Sequence, residues 1–258
     1  MKLFVTGDTH GGQEDDFSKL TSSLFPEGKE LTKEDFVIVC GDFGLTFPNY
    51  NSKMDKQQEY WIKWLQEKPW TILFIDGNHE NHEFLKTLPV VEKFGGKVSV
   101  LREFYHLRRG EIYTFDNLKV FCMGGAMSTD KETRIEGVDW WRDEVPSYSE
   151  MDYAINNLEK YDYKVDLILA HTLPMGMIKR WLTVKDIPLE ELDGKMLPLH
   201  RLDEVASSMV QRYNDPTASF LQEVVNRTTF DHYYCGHFHD DITMGKFTIL
   251  YQQVKQIL

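Results

Sequence analysis

Short runs of apolar residues recur along the chain, and each is four to six residues long, the usual length of a buried strand. Nine runs predict strands, at Lys2–Thr6, Phe36–Cys40, Trp70–Ile75, Lys97–Val100, Glu111–Phe115, Leu118–Met123, Asp166–Ala170, His232–Cys235 and Phe247–Gln252. Between several of them, apolar residues repeat with helical spacing, over Asp55–Glu67, Ser149–Lys160 and Asp215–Val225. Strands that alternate with helices predict a layered α/β fold.

Two of the predicted helices carry further signals. Ser149, which Glu150 follows, is the expected cap of the second helix. Trp61 and Trp64 lie at helical spacing on the first helix, so we expect both to face the core.

Two segments depart from the alternation of strands and helices. Residues 124–146 form a long polar stretch that contains Trp140 and Trp141, and residues 172–214 have the pattern of a partly helical insertion. Long loops in compact domains often cover substrate sites. Because no linker or repeat divides the chain, we expect one domain over residues 1–258, with insertions near 124–146 and 172–214.

The charge and the cysteines restrict the partners and the compartment. The 258 residues carry 29 Lys and Arg against 41 Asp and Glu, a formal net charge of −12, which argues against a surface for long nucleic acids. Cys40, Cys122 and Cys235 are widely spaced and indicate buried thiols rather than disulfides. Since there is no membrane-length apolar run and no signal-peptide pattern, we expect a cytoplasmic protein.

Metal-compatible side chains directly follow five of the predicted strands. The blocks are Gly7-Asp8-Thr9-His10-Gly11-Gly12, Gly41-Asp42, Asp76-Gly77-Asn78-His79-Glu80, His171 and Gly236-His237-Phe238-His239. Open α/β sheets bind ligands in the crevice at the carboxyl ends of their strands. The five blocks are therefore expected at one site.

The residue types in these blocks suit divalent metals. Asp, His and Asn supply the oxygen and nitrogen ligands that Mn, Fe, Zn, Co or Ni accept. Asp8 and His10 are separated by one residue and can point the same way on an extended segment, and His237 and His239 repeat this spacing. The carboxylate of Asp42 has two oxygens and could bridge two ions. The adjacent glycines permit sharp turns and close backbone approach.

In this order, the five blocks resemble those of the calcineurin-like metallophosphoesterase superfamily, and the resemblance extends from Asp8 to His239. Residues 124–130 and 139–141 are similar to a bacterial and phage branch of that superfamily. The resemblance implies an α/β fold of two packed mixed β-sheets flanked by helices, a four-layer αββα sandwich. It also implies a phosphoesterase that uses two divalent metal ions.

The resemblance further implies a role for each residue of the blocks. The ligands would be Asp8, His10 and His239 for one ion, Asn78, His171 and His237 for the other, and Asp42 as the bridge. His79 would lie beside the ions, contact the phosphate and protonate the leaving oxygen. A water between the ions would attack phosphorus in line.

The Gly-Asp block departs from the pattern of one branch. Protein Ser/Thr phosphatases of the superfamily extend it to Gly-Asp-x-x-Asp-Arg-Gly, whereas here it continues as Phe43-Gly44-Leu45. The arginine that binds phosphate in those enzymes is therefore missing, as is the aspartate that often partners the catalytic histidine. Glu80, which stands where an aspartate is commoner, is one candidate for orienting His79.

Other residues are candidates for a supporting role. A substrate-binding lid could be formed by Arg134, Trp140, Trp141 and Arg142, although the favoured interpretation is that the adjacent tryptophans pin the long loop to the core. Asp240 could orient His239 from outside the ligand set. We interpret the remaining histidines as structural or surface residues: His82, His106, His200 and His232.

Two functions of different class follow from these features. The first is a dinuclear metal-dependent phosphoesterase acting on a phosphomonoester or a small phosphodiester, such as a nucleotide. The alternative is a non-catalytic metal-binding scaffold on the same fold, which the complete set of ligands disfavours. A metal hydrolase of the β-lactamase type would need a His-x-His-x-Asp-His block, which the chain lacks.

The net charge also bears on the substrate. Four positive charges from two divalent ions would change −12 to −8 and make the site cationic while the surface stays acidic. This favours a small phosphorylated substrate inside the crevice, with neither long nucleic acid nor membrane as partner. The oligomeric state is left open.

Overall fold

Two mixed β-sheets organise the chain in the computed structural model, which describes residues 1–47, 52–185 and 215–258. The strands, numbered in chain order, are β1 (Leu3–Thr6), β2 (Phe36–Cys40), β3 (Thr71–Ile75), β4 (Val90–Lys93), β5 (Gly96–Leu101), β6 (Phe104–Leu107), β7 (Ile112–Phe115), β8 (Leu118–Met123), β9 (Leu167–Ala170), β10 (His232–Cys235), β11 (Ile242–Met244), β12 (Phe247–Ile249) and β13 (Lys255–Gln256).

Each sheet has a parallel centre and antiparallel edges. The first has the order β13-β1-β2-β3-β6-β5-β4, in which β1, β2, β3 and β6 run parallel. The second has the order β11-β12-β10-β9-β8-β7, with β8, β9, β10 and β12 parallel. Parallel strands place their carboxyl ends along one edge, so the loops after β1, β2 and β3 lie together, as do those after β9 and β10.

The central strands are buried on both faces, as expected of parallel strands covered from both sides. In β2, Ile38 and Cys40 enter the core between the two sheets, whereas Val37 and Val39 enter the core on the outer face. Successive strand residues point to opposite faces, so one short apolar run supplies two cores.

Helices cover the outer faces of both sheets. They are α1 (Ser52–Gln66), α2 (His82–Thr87), α3 (Tyr148–Lys160), α4 (Met175–Val184) and α5 (Pro216–Arg227), with 3₁₀ segments at His10–Leu20, Pro26–Glu30, Lys131–Thr133 and Arg142–Glu144. Residues of α1 and of the first 3₁₀ segment pack on the first sheet, and residues of α3, α4 and α5 pack on the second. The predicted four-layer αββα sandwich is confirmed.

Each of the nine predicted strands overlaps an observed strand. The pattern missed the short strands β4, β6, β11 and β13. The expected cap at Ser149 was wrong, because the capping box of α3 is formed by Ser147 with Glu150. Trp61 and Trp64 pack against the outer core as expected.

The predicted insertion at 172–214 is described only in part. Its described part, residues 172–185, contains α4, while residues 186–214, including His200, lie outside the described residues. In the described ranges, no helix is both long enough and apolar enough to cross a membrane. The single domain over residues 1–258 stays a prediction.

Candidate metal centre

The polar blocks after five strands come together at one edge of the sandwich. Their side chains form three overlapping groups in which ligand atoms lie within 4.8 Å of one another. The groups are Asp8 with His10 and His239, His10 with Asp42 and His79, and Asp8 with Asp42 and His171. Asp8, His10 and Asp42 each belong to two groups, so the clusters form one continuous centre.

One ligand position is built around His10. Its Nδ1 lies 2.7 Å from Asp16 Oδ2, and its Nε2 lies 3.5 Å from Asp42 Oδ2. A carboxylate on Nδ1 holds the proton there and leaves Nε2 free for a metal ion. The His239 ring stands 5.0 Å from the His10 ring, and Asp8 accepts hydrogen bonds from the His237 amide at 3.0 Å.

A second ligand position is built around His171. Its Nδ1 donates to the Cys40 carbonyl over 3.0 Å, which turns Nε2 toward the centre. This Nε2 lies 3.0 Å from Asn78 Oδ1 and 3.3 Å from Asp42 Oδ2. The His237 ring lies 4.9 Å from the His171 ring. Asp42 thus faces both positions through its Oδ2 atom.

The charges at the centre favour cations. Burial alone would lower the pKa of His10, but hydrogen bonds to Asp16 and Asp42 raise it to about 11. In His171 the same burial effect is outweighed by the charge of Asp42, and its pKa rises to about 10. Protons on these rings occupy places that divalent ions would take, so the donor set fits hard or borderline metal ions.

Burial and neighbouring charges also shift the pKa values of Asp42 and His237. Burial opposes ionisation of Asp42, yet the charges of His171 and His79 hold its pKa well below the usual range. Burial and the charge of His171 lower the pKa of His237 to about 3. His237 is therefore a neutral imidazole at pH 7, the form that binds metals.

The backbone is strained where the ligands converge. The φ values are 38° at His10, 47° at Asp42, 69° at His237 and 46° at His239. They lie in the left-handed region, which residues other than glycine rarely adopt. Strain of this kind clusters at functional sites. Gly41 has φ of 91°, and a Cβ there would stand 2.0 Å from His171 Nδ1, so the Gly-Asp motif needs its glycine.

His79 lies beside the ligands. Its amide donates to Asp42 Oδ1 over 2.7 Å, and its ring is 5.5 Å from that of His10. Arg134 Nη1 donates to His79 Nδ1 over 3.1 Å and is itself held by Asp130. Burial lowers the pKa of His79, and the charge of Arg134 lowers it further, against the opposing charge of Asp42.

Glu80 points elsewhere. Its buried carboxyl group accepts hydrogen bonds from the amides of Gly77, at 2.6 Å, and Gly44, at 3.2 Å. Both oxygens therefore tie the Gly-Asn-His loop to the Gly-Asp loop, whereas Arg134 donates a hydrogen bond to the His79 ring. Arg134 was predicted for substrate, and the structure places it within reach of the centre.

The other predicted supporting residues occupy different places. Trp141 is only 4% exposed and packs 5.7 Å from the ring of Phe47, the arrangement of a residue that pins its loop. Trp140 is half-buried beside it. Asp240 binds Trp181 and Lys185, so its predicted role toward His239 has no support in these contacts.

The sequence reasoning missed residues that hold the predicted ligands from behind. Asp16 binds His10, and Ser128 accepts a hydrogen bond from Asn78 Nδ2 over 3.1 Å. Asp16 carried a weak signal, a carboxylate six residues after His10. Ser128 carried none, because it is 50 residues away from Asn78 along the chain.

The sequence is similar to those of known proteins. Residues 1–175 match the family model described as calcineurin-like phosphoesterase. Lariat debranching enzyme A of Xenopus laevis is 25% identical over 215 residues, which cover 76% of this chain and 38% of the relative. The lariat debranching enzyme of Schizosaccharomyces pombe is 23% identical over 227 residues, 83% of this chain and 44% of the relative.

A third relative, the lariat debranching enzyme of Drosophila melanogaster, is 27% identical over 201 residues, 69% of this chain and 34% of the relative. The chain thus spans less than half the length of these curated relatives. The family match covers β1 to β9 and includes Asp8, Asp42, Asn78 and His171. The chain belongs to the calcineurin-like phosphoesterase family.

Proposed function

We propose that the chain is a dinuclear metal-dependent phosphoesterase that hydrolyses a phosphomonoester or a small phosphodiester, such as a nucleotide. The observation that carries this proposal is the position of Asp42. Its Oδ2 lies 3.5 Å from His10 Nε2 and 3.3 Å from His171 Nε2, the nitrogens that face the centre in two separate ligand positions. A carboxylate so placed can hold two ions at once. The backbone amide of His79 donates a hydrogen bond to Oδ1 of the same side chain.

The ligand sets that we propose are those implied by the motifs. Asp8, His10 and His239 bind one ion, and Asn78, His171 and His237 bind the other. Two divalent ions bound there would supply Lewis acidity and water of lowered pKa. The chain's own part is to direct Nε2 of His10 and of His171 toward the centre, by engaging each Nδ1 with Asp16 or with Cys40.

His79 is the proposed general acid. Its lowered pKa leaves it neutral at pH 7 in the free protein. A phosphate ester beside the ring adds negative charge, which raises the pKa of the imidazole and loads it with a proton for the leaving oxygen. The bond from its amide to Asp42 keeps the ring next to the ligands.

Arg134 is the proposed phosphate ligand. Its side chain is 20% exposed and lies between Asp130 and the His79 ring. A guanidinium can bind two phosphate oxygens at once. It would supply the positive charge that the arginine after the Gly-Asp block supplies in protein Ser/Thr phosphatases. Trp140 and Trp141 would then shape the wall of the substrate loop.

Hydrolysis of p-nitrophenyl phosphate and of bis-p-nitrophenyl phosphate in the presence of Mn²⁺ tests the proposal. Asp42→Asn should reduce metal-dependent hydrolysis to background, while Asp231→Asn, an exposed carboxylate outside the centre, should not change it. If Asp42→Asn retains full activity with metal bound, the bridging role is wrong. Wild-type protein that binds two ions yet hydrolyses nothing would support the scaffold alternative.

The variant His79→Ala tests the role of general acid separately from metal binding. This variant should bind metal normally and lose turnover mainly for poor leaving groups, because a stable leaving group needs no proton. His232→Ala, whose Nε2 bonds Thr248 in the second sheet, is the matched control. An equal loss for good and poor leaving groups would refute the role of general acid.

A panel of substrates tests the proposed preference for a small substrate. Mononucleotides, cyclic nucleotides, dinucleotides and phosphosugars represent the small esters that the acidic surface favours. A lariat, the substrate in the names of the curated relatives, is the large substrate of the same panel. A kcat/KM for the lariat far above those of all small esters would contradict the proposed preference.

A further inference from the structure

A buried network lies behind the first ligand position. Asp16 is 1% exposed, and its Oδ2 contacts His10 Nδ1 at 2.7 Å while its Oδ1 accepts the Tyr251 hydroxyl at 2.8 Å. The ring of Tyr251 stacks on His239, with centroids 4.7 Å apart and planes 10° apart. Asp16 and Tyr251 together therefore fix the orientation of two proposed ligands of one ion.

Lys19 joins the same network. Its ammonium is 1% exposed and donates to the carbonyls of Gly7, Asp8 and Tyr251, at 3.1, 2.5 and 2.5 Å. These contacts join the end of β1 to the segment that carries Tyr251. The third proposed ligand of the same ion, Asp8, is thus held through its backbone. All three ligands of this position touch Asp16, Lys19 or Tyr251.

A different network lies behind the second position. Glu144 is 1% exposed, and its Oε1 and Oε2 accept from the Ser128 amide, at 2.9 Å, and the Ser128 hydroxyl, at 2.5 Å. Because the hydroxyl proton goes to Glu144, the oxygen of Ser128 is left to accept from Asn78 Nδ2. This fixes the amide with Oδ1 toward His171.

The two networks have no residue in common. One is built from the 3₁₀ segment after β1 and the stretch after β12, the other from the 124–146 segment. We propose that Asp16, Lys19 and Tyr251 form a support for one metal position, that Ser128 and Glu144 form a support for the other, and that each support sets the affinity of its own position. The inference rests on the dinuclear centre proposed above.

Metal binding without substrate tests this independence. Mn²⁺ titration by calorimetry, with electron paramagnetic resonance to distinguish single from paired ions, should show two ions in the wild type. Asp16→Ala and Ser128→Ala should each weaken one binding step by about 10- to 100-fold and leave the other unchanged. Asp16→Asn should restore part of the loss, since its amide oxygen can still accept from His10.

Combination with a ligand variant identifies the position. Asp16→Ala added to His239→Ala should cause little further loss, because both act on one position, whereas Ser128→Ala added to His239→Ala should remove the paired signal and weaken both steps. Asp35→Ala and Ser99→Ala remove buried polar groups elsewhere and should leave both affinities unchanged.

The outcomes separate this inference from the proposed function. If the wild type binds fewer than two ions, the dinuclear function itself fails. If it binds two and both single variants weaken the two steps equally, or neither variant weakens any, the function stands and the independent supports are refuted.

Discussion

The ion pair between Asp76 and Arg109 offers a quantitative test of the loop that leads to the metal centre. Asp76 is 1% and Arg109 9% exposed, and Asp76 Oδ2 accepts from Arg109 Nε at 2.8 Å and Nη2 at 2.6 Å. His106 bonds Asp76 Oδ1 at 3.0 Å, and the next residues along the chain are Gly77, Asn78 and His79. The pair thus anchors the end of β3.

Removing one partner leaves the other charged and buried. Arg109→Met leaves Asp76 with His106 as its hydrogen-bonding partner among the described side chains and frees the carbonyls of Asp143 and Glu144. Loss of one partner from a buried pair costs about 3–5 kcal/mol. We expect that cost in the free energy of unfolding for Arg109→Met, and a similar one for Asp76→Asn.

A double-mutant cycle in urea at pH 7 isolates the pair. Asp76→Asn combined with Arg109→Met should cost about 1–3 kcal/mol less than the sum of the single variants, because the second change removes a group that the first left unpaired. Additivity of the two single costs within about 0.5 kcal/mol would refute the reasoning. Asp231→Asn is the control for a carboxylate without a buried partner.

The pH dependence has a definite sign. Burial alone would raise the pKa of Asp76, but the charge of Arg109 and the His106 bond hold it well below the usual range. The folded-state pKa is thus depressed, so the stabilisation is present above the unfolded value of about 3.9 and lost as the pH falls through the folded value. Asp76→Asn should lack this part of the acid destabilisation.

Three further predictions concern the helix cap and the metal centre. Ser147→Ala should lower the free energy of unfolding by about 1 kcal/mol in urea, and Ser149→Ala should change it little, because Ser147 caps α3. Gly41→Ala should weaken metal binding in calorimetry by displacing His171, whereas Gly245→Ala, with open space at its Cβ, should not; equal affinities would contradict this steric argument. Because the pKa values of His10 and His171 are raised to about 11 and 10, metal binding at pH 7 should release about two protons. Calorimetry in buffers of different ionisation enthalpy measures this number, and the affinity should fall as the pH is lowered; release of no proton would contradict it.

The fold was predictable where local chemistry decides it. An apolar run such as Phe36–Cys40 is buried on both faces, so its composition alone indicates a strand. The short strand β6 was missed although it lies between β3 and β5, because its sequence Phe-Tyr-His-Leu mixes polar with apolar residues. Its pairing to β3 comes from the tertiary fold, which a local pattern does not contain.

The metal centre divides in the same way. The convergence of the proposed ligands could be predicted because each lies just after its strand, and parallel strands bring their carboxyl ends together whatever the length of chain between them. The residues that support these ligands from behind do not follow the strand order in this way. Asp240 is next to His239 in sequence, yet it binds Lys185, while Tyr251, twelve residues further along the chain, stacks on the His239 ring. Which residue supports a ligand from behind depends on how separate helices, strands and loops pack together. Asp16 and Ser128 are therefore identified by tracing the hydrogen bond from the second polar atom of each ligand to its partner.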